Sequence, residues 1–330
     1  MDSIVYEKIF GGFYIIRAYI SAPNYIQICL KEADELDDRK AIYEYKTRFA
    51  SYIPELKKTD GGFGCLQFEN IGYPISLILD KTGVVSLSDK FIVRDWGGDF
   101  QDIYKPRSEW DDYTRRGNNL RIIGDHVYAC GDLRKVFRRD DIGEWTDITD
   151  PDQHPNLFKR LRFFKERDGH YMDSFAGFSD MDGFSEEDIY AGGHHDLWRY
   201  DGHRWHEIQL PQYPNIKSVV CAADGYVYVT GRHGPLLRGR NDRWEVLEAP
   251  MLDYNEIAWF DGKLWLASDY ELGVYENGEY QRYAFPNDGA VQFSFKGVHA
   301  CDDMLISYGL EQVLLFDGEE WVELIGSLSI

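Results

Sequence analysis

Short runs of β-branched and aromatic residues recur along most of the chain, and turn residues separate them. Residues 189–193, 226–231, 263–268 and 304–308 are four such runs. Each is close to the length of an average strand and too short for a helix of several turns. Val, Ile, Tyr and Trp favour strands, whereas Gly and Asp favour turns. The pattern therefore predicts a chain built mainly of β-strands.

These runs repeat at a spacing of about 38 residues, which is close to the spacing of propeller blades. One apolar run precedes each of them, a third run follows, and a tight turn leads to a fourth. The turn dipeptides are Asp201-Gly202, Asn277-Gly278 and Asp317-Gly318. Such dipeptides favour a type I′ hairpin turn, in which both central residues have positive φ. We therefore expect a four-stranded antiparallel unit, with strands a to d in chain order.

A large aromatic residue opens strand d in unit after unit. These residues are Trp145, Trp205, Trp244, Tyr280 and Trp321. An aromatic that stacks on a ligand is needed in one place, whereas an aromatic that packs between repeats is needed in each of them. The recurrence therefore favours packing between neighbouring units.

Seven such units account for nearly the whole chain. A single four-stranded sheet leaves both faces open, whereas sheets arranged radially around an axis cover one another. The pattern resembles that of the seven-bladed β-propellers. The resemblance implies an all-β fold: one domain, residues 1–330, forming a propeller of four-stranded antiparallel blades. The expected blades are 11–57, 73–106, 118–150, 175–211, 215–250, 254–286 and 293–326.

An insertion at 151–174 separates blades 3 and 4 and differs from the rest of the chain in charge. Its segment 157–167 has five basic residues and one acidic residue, and its apolar positions fit one face of a short helix. Such a helix either packs on the acidic protein around it or binds a partner or a membrane. The binding candidates in it are Phe158, Lys159, Arg160, Arg162, Phe163 and Lys165.

The chain is strongly acidic, with 36 Lys and Arg against 57 Asp and Glu, a net charge of −21. A field of that sign repels phosphate backbones and anionic lipid headgroups, so neither nucleic acid nor a membrane is an expected partner. The N-terminus lacks the pattern of a signal peptide, and the five cysteines are scattered without a C-x-x-C pair. We therefore expect a cytoplasmic protein with reduced cysteines.

Candidate binding residues come from the b–c and d–a connections. In an antiparallel meander these connections share one end of the sheet, whereas the short a–b and c–d turns share the other. Loops on a rigid scaffold commonly carry function, so the end with the b–c connections is the expected binding face. The candidates there are Asp89, Lys90, Asp132, Arg134, His194, His195, Asp196, Arg232, His233, Tyr270, Glu271 and Glu311.

Two sets of residues raise the alternative of a metal. His194, His195 and His233 on adjacent units suit a metal or acid–base chemistry, although Arg232 beside them disfavours a cation. Residues 180–188 space carboxylates in a calcium-loop-like way, but they fall where an a–b turn is expected. Hydrogen-bonded histidines and an ordinary turn explain both sets, so no metal, no cofactor and no catalytic residue is assigned.

The sequence thus favours a non-catalytic protein-binding propeller whose acidic face captures a basic protein. One concrete form is a bacterial-type immunity protein or antitoxin that blocks a toxin. The alternative is a metal-assisted hydrolase or lyase with its site in the central channel, where the histidines would act as base or ligand. A third possibility is recognition of a small ligand or glycan on the aromatic rim that includes Tyr270.

Overall fold

The computed structural model describes 14 stretches of the chain. They are residues 3–22, 25–33, 46–54, 62–69, 75–79, 83–88, 91–95, 99–104, 116–149, 177–194, 196–232, 234–285, 295–301 and 303–326. They form seven four-stranded antiparallel sheets, each a meander in chain order. The prediction of an all-β, seven-bladed propeller with four-stranded blades is confirmed.

Each blade takes four consecutive strands. Blades 1 to 3 consist of β1 (Phe13–Ala22), β2 (Tyr25–Glu32), β3 (Lys46–Tyr52) and β4 (Phe63–Glu69); β5 (Ile75–Leu79), β6 (Gly83–Leu87), β7 (Ile92–Asp95) and β8 (Phe100–Asp102); and β9 (Gly117–Ile123), β10 (His126–Gly131), β11 (Val136–Asp141) and β12 (Glu144–Asp147). Blades 4 and 5 consist of β13 (Asp180–Ser185), β14 (Asp188–Gly193), β15 (Asp196–Tyr200) and β16 (Trp205–Ile208); and β17 (Asn215–Cys221), β18 (Val227–Arg232), β19 (Leu237–Arg240) and β20 (Arg243–Val246). Blades 6 and 7 consist of β21 (Tyr254–Phe260), β22 (Lys263–Ser268), β23 (Leu272–Glu276) and β24 (Glu279–Arg282); and β25 (Gly297–Cys301), β26 (Met304–Tyr308), β27 (Val313–Phe316) and β28 (Trp321–Ile325).

The N-terminal region differs from the expectation in two ways. A helix, α1 (Ser3–Phe10), precedes the first strand, and blade 1 extends to Glu69 instead of ending at residue 57. Phe10 is buried and meets Phe63 edge to face at 5.8 Å, and Arg48 donates a 2.8 Å hydrogen bond to the Ile9 carbonyl at the helix C-terminus. Residues far away along the chain therefore hold the helix in place.

The hairpin turns are of two lengths. Asp261-Gly262 and Asn277-Gly278 have positive φ at both residues, as a type I′ turn requires. The c–d turns of blades 4 and 7 are longer, because Tyr200 pairs with Trp205 and Phe316 pairs with Trp321. In each of these turns the Asp carboxylate accepts two backbone N–H groups, which makes a four-residue loop favourable.

The chain divides into two compact units, Met1–Val85 with Glu248–Ile330 (unit 1) and Ser86–Leu247 (unit 2). Within unit 1, strand a of each blade lies beside strand a of the next, so β25 contacts both β21 and β1. Blade 1 therefore uses its own four strands and lends none to blade 7. Core side chains fill the space between blades 1 and 7 and between blades 6 and 7.

Within unit 2, β13 lies between β9 and β17, and hydrophobic clusters join blade 4 to blades 3 and 5. Trp205 shows what the recurring aromatic does there. Its ring lies 5.5 Å from Phe178, and its Nε1 donates a 3.1 Å hydrogen bond to the Ile148 carbonyl of blade 3. In unit 1 the Trp321 ring packs in the same way against Trp265 of blade 6. The aromatic residues thus pack between blades at both positions.

The helix expected between blades 3 and 4 falls outside the described residues and stays a prediction. The single-domain interpretation likewise stays a prediction. In the part of the chain that the structure covers, no helix has the length and apolar character needed to cross a bilayer.

Candidate functional site

The structure describes eight of the twelve loop residues that the sequence nominates. Asp132, Arg134, His194, Asp196 and Arg232 belong to unit 2, whereas Tyr270, Glu271 and Glu311 belong to unit 1. Asp89, Lys90, His195, His233 and the six insertion residues (Phe158, Lys159, Arg160, Arg162, Phe163 and Lys165) lie outside the described residues.

In unit 2, two of the nominated residues form a buried pair with each other. The Arg134 guanidinium donates a hydrogen bond to the Asp196 carboxylate, and both side chains are buried. The guanidinium also lies 5.0 Å from the Trp198 ring centre, a cation–π distance. The pair joins the b–c turn of blade 3 to the first residue of β15 in blade 4. These two charges therefore connect blades.

The other nominated residues of unit 2 differ in exposure. Asp132 holds its own turn, because its carboxylate accepts a 3.1 Å hydrogen bond from Asn118 and its backbone N–H binds the Arg116 carbonyl. His194 is half-buried, and Arg232, at the end of β18, is exposed. Among the nominated residues of unit 2 that the structure describes, Arg232 is thus the exposed one.

The calcium-like segment 180–188 is the β13–β14 hairpin, and protein groups occupy its carboxylates. Asp180 is buried and accepts hydrogen bonds from Asn119, Arg121, Ser218 and the Val219 N–H. The two oxygens of Asp188 bind Arg199 and Arg240. Asp182 accepts a 2.8 Å bond from the Cys221 N–H. Asp180, Asp182 and Asp188 thus lie on β13 and β14 and bind neighbouring strands, and the turn predicted for this segment consists of residues 186–187.

Metal chemistry was the alternative for the histidines. Across the described stretches, no group of three or more His, Cys, Asp and Glu side chains is placed to hold a metal ion. His195 and His233 lie outside those stretches, so the hydrolase or lyase alternative stays a prediction.

Unit 1 contains a similar structural acid, Glu256 on β21. It accepts hydrogen bonds from the Val298 N–H at 3.1 Å and the Tyr308 hydroxyl at 2.9 Å, and Arg17 approaches it at 3.4 Å. Burial, followed by the nearby Glu256 charge, raises the pKa of Tyr308 well above its ordinary value. Glu256 therefore connects blades 1, 6 and 7.

The β22–β23 turn of unit 1 presents an aromatic side chain to solvent. The Tyr270 side chain is 81% exposed, although the backbone beneath it is firmly held. The buried Ser268 hydroxyl accepts hydrogen bonds from the N–H groups of Tyr270 and Glu271, at 3.3 and 3.1 Å. The Ser268 N–H donates to the Glu271 carbonyl at 3.0 Å. The turn therefore holds the base of an exposed aromatic in one conformation.

Two neighbouring connections are tied to this turn. Asp269 accepts hydrogen bonds from Asn255 at 2.7 Å and from Lys296 at 2.8 Å, and the Lys296 N–H binds the Tyr308 carbonyl just before the b–c turn of blade 7. On the other side, the Tyr254 hydroxyl donates to the Pro250 carbonyl at 2.9 Å. Asn255 and Lys296 therefore link the β22–β23 turn to β21 and β26, the strands that border the other two connections.

We call these three connections the acidic rim. They are residues 248–253, 269–271 and 309–312, and they include the exposed side chains of Glu248, Met251, Asp269, Tyr270, Leu310 and Glu311. Met251 is 67% exposed and Leu310 is 40% exposed. Neither residue is among the binding candidates that the sequence predicts. Their position in d–a and b–c connections was the signal that could have found them.

The rim lies in the most acidic part of the chain. Glu248–Ile330 has 3 Lys and Arg against 16 Asp and Glu, a net charge of −13. Unit 2 has 23 basic and 29 acidic residues, a net charge of −6. A quarter of the chain thus carries more than half of its net charge of −21.

Comparison with known proteins gives one relative in sequence and several in fold. The chain is 32% identical to the immune protein Tsi7 of Pseudomonas aeruginosa over 214 residues, which are 63% of this chain and 65% of Tsi7. The match thus spans slightly less than two thirds of that relative. No protein-family model matches the chain.

The fold relatives are solved propellers with low sequence identity. Sqt1 of Saccharomyces cerevisiae superposes with a TM-score of 0.57 at 10% identity, covering 94% of this chain and 84% of Sqt1. The WD40 β-propeller domain of Doa1 superposes with a TM-score of 0.55 at 9% identity, covering 96% and 97%. At such identities the likeness concerns the fold alone. This chain is therefore a seven-bladed β-propeller that is similar in sequence to an immune protein.

Proposed function

We propose that this chain is an immunity protein, which binds a toxin protein and blocks it without catalysing a reaction. The observation that carries the proposal is the 32% identity to the immune protein Tsi7 over 214 residues. The proposed partner is a basic protein, and the proposed compartment is the cytoplasm.

Three carboxylates inside the fold are engaged in its structure and are not available as general acids or bases. A general acid or base needs a carboxylate that is free to exchange a proton with a substrate. Asp180, Asp188 and Glu256 instead accept hydrogen bonds from neighbouring strands or blades. Their chemistry is that of structural connectors.

The scaffold also suits inhibition by binding. Connections held between short strands lose little conformational entropy when a partner docks on them. A net charge of −21 increases the rate at which a basic partner is captured, and fast capture suits a protein that must intercept a toxin.

A growth assay tests the proposal. The genes that neighbour the gene of this chain in its source genome are expressed one at a time in a host cell, and a gene that stops growth is taken as the toxin and expressed with or without this chain. We expect toxin expression alone to stop growth and co-expression to restore it. Continued arrest with both proteins present at similar levels would contradict the immunity role.

A binding measurement separates blocking from other forms of rescue. A catalytically inactive variant of the same toxin is titrated with purified chain by calorimetry. We expect a stoichiometric complex with a dissociation constant in the nanomolar range or below. An unrelated acidic protein of similar net charge serves as the control and should bind far more weakly. Restored growth without a complex would show that the chain acts on something other than the toxin itself.

A further inference from the structure

The exposed apolar side chains of unit 1 lie either on regular elements or on connections. Ile4 lies on helix α1, and Leu66 and Val322 lie on outermost strands of their blades, where single exposed hydrophobics are ordinary. Met251, Tyr270 and Leu310 instead lie on the three connections of the acidic rim. Exposed apolar side chains on connections that also carry charged residues are typical of an interaction surface.

Tyr270 has the properties of an interface anchor. Tyrosine is enriched among residues that dominate binding energy, because it buries a large area at a small cost in side-chain entropy. Ser268 holds the turn below it, so docking would order little additional backbone. The ring also remains 81% exposed instead of packing back onto the protein.

The surroundings of Tyr270 specify the charge of its partner. Glu248 and Glu311 are exposed on the other two connections. The basic residues Lys296 and Arg282 are each engaged by a rim carboxylate, Lys296 by Asp269 at 2.8 Å and Arg282 by Glu271 at 3.9 Å. A second copy of this chain would bring an equal negative charge to the rim, so charge complementarity favours a cationic occupant.

We infer that the acidic rim of unit 1 docks a basic face of the toxin, with Tyr270 as the anchor and Met251 and Leu310 as its apolar border. The inference rests on the proposed immunity function and adds the surface through which it acts. The toxin face it fits carries Lys and Arg around an apolar depression that receives the tyrosine ring. Glu248 and Glu311 guide the approach of that face, whereas Tyr270 slows its dissociation.

The anchor is tested with a matched pair of tyrosines. Tyr270→Ala is compared with Tyr213→Ala, because Tyr213 is 50% exposed on the d–a connection between blades 4 and 5 of unit 2. The probe is the inactive toxin, and the measurements are calorimetry and surface-based kinetics. We expect Tyr270→Ala to weaken binding about thirtyfold or more, mainly through faster dissociation, and Tyr213→Ala to change it less than threefold.

The charge is tested with a matched pair of double reversals. Glu248→Lys with Glu311→Lys changes the rim, whereas Glu319→Lys with Glu320→Lys makes the same net change on the c–d turn of blade 7. We expect the rim reversal to slow association about tenfold at low salt, and the difference from the control pair to shrink as salt is raised. Thermal unfolding confirms that all four variants are folded.

The outcomes separate the two proposals. If the unmodified chain neither binds nor protects, the immunity function itself is wrong. If it binds and protects but the rim variants bind as tightly as their controls, the immunity function stands and the rim assignment is overturned. A concentration-dependent dimer that Tyr270→Ala abolishes would assign the rim to a second copy of the chain and would also overturn the inference.

Discussion

The two units of the molecule use their acidic residues in different ways. In unit 2, charged pairs join strands and blades, as in Arg134 with Asp196 and Arg139 with Asp95. In unit 1, Glu256 is used similarly, but Glu248–Ile330 has only 3 basic residues for 16 acidic ones. Most carboxylates in that segment therefore have no Lys or Arg available within the segment to neutralise them.

The difference shows that net charge alone is a poor guide to a binding surface. A paired, buried carboxylate contributes to folding and adds little to the field outside. A carboxylate without a neighbouring cation contributes to the field that a partner meets. Among the binding candidates that the structure describes, Arg134 and Asp196 of unit 2 pair with each other in the interior, whereas Glu311 of unit 1 is exposed.

The largest loss of stability is expected from a change at Asp180, a buried carboxylate of unit 2 that accepts several hydrogen bonds. Asp180→Ala leaves Asn119, Arg121 and the Val219 N–H without their acceptor. We expect a loss of about 3–5 kcal/mol in the free energy of unfolding, because the buried donors are left without a hydrogen-bond acceptor. Urea unfolding monitored by tryptophan fluorescence measures it.

A matched change in unit 1 sharpens this result. Glu311→Ala removes an exposed carboxylate from the rim, and we expect the free energy of unfolding to change by less than about 0.5 kcal/mol. Equal losses from both variants would show that the two units do not differ in how they use acidic residues.

A smaller loss of stability is expected when the ion pair between Arg139 and Asp95 is broken. The Arg139 Nε lies 2.9 Å from the Asp95 Oδ1. Arg139→Met leaves the largely buried Asp95 with the Gly143 N–H as a remaining donor, so we expect a loss of about 2–3 kcal/mol. Adding Asp95→Leu removes the stranded charge and should recover most of that loss. A double-mutant cycle in urea measures the coupling, and a coupling near zero would contradict an internal role for this pair.

The fold was predictable because its signals are local. Strand length, turn dipeptides and the aromatic at the start of strand d recur within each repeat, so seven copies reinforce one interpretation. Helix α1 was missed because eight residues are too few to show helical periodicity, and its partners Arg48 and Phe63 are far along the chain. The longer turns after Tyr200 and Phe316 depend on carboxylate hydrogen bonds that a dipeptide signal does not contain.

The candidate site was predictable only in part. Placing Tyr270, Glu271 and Glu311 on connections needed only the order of strands, which the repeat supplies. Whether a charged side chain on a loop is exposed to solvent or paired inside the protein depends on the residues that pack against it. Arg134 and Asp196 are 62 positions apart, and nothing in the sequence near either residue shows that they meet. Their pairing is a property of the packed blades.

Two matching turns, one in each unit, allow a finer comparison of paired and unpaired acids. Asp201 and Asp317 each accept two backbone N–H groups, but Asp201 also binds His206 at 2.6 Å, whereas Asp317 lies beside Glu319 and Glu320. The His206 hydrogen bond, followed by the N–H groups of Arg204 and His203, holds the pKa of Asp201 well below its ordinary value. The folded state therefore favours the charged form of Asp201.

Asp201→Asn should accordingly lower the free energy of unfolding by less than about 1 kcal/mol at pH 7, because the turn is exposed. The advantage of the wild type is complete above the unfolded-state pKa of about 3.9 and disappears as pH falls through the lower folded-state pKa. Asp317→Asn should cost less: the N–H groups of Glu320 and Glu319 lower the pKa of Asp317, but at Asp201 the hydrogen bond from His206 adds to the effect of two such groups. Urea unfolding of both variants between pH 7 and pH 3 measures the difference, and a larger cost for Asp317→Asn would reverse the proposed contrast between paired and unpaired acids.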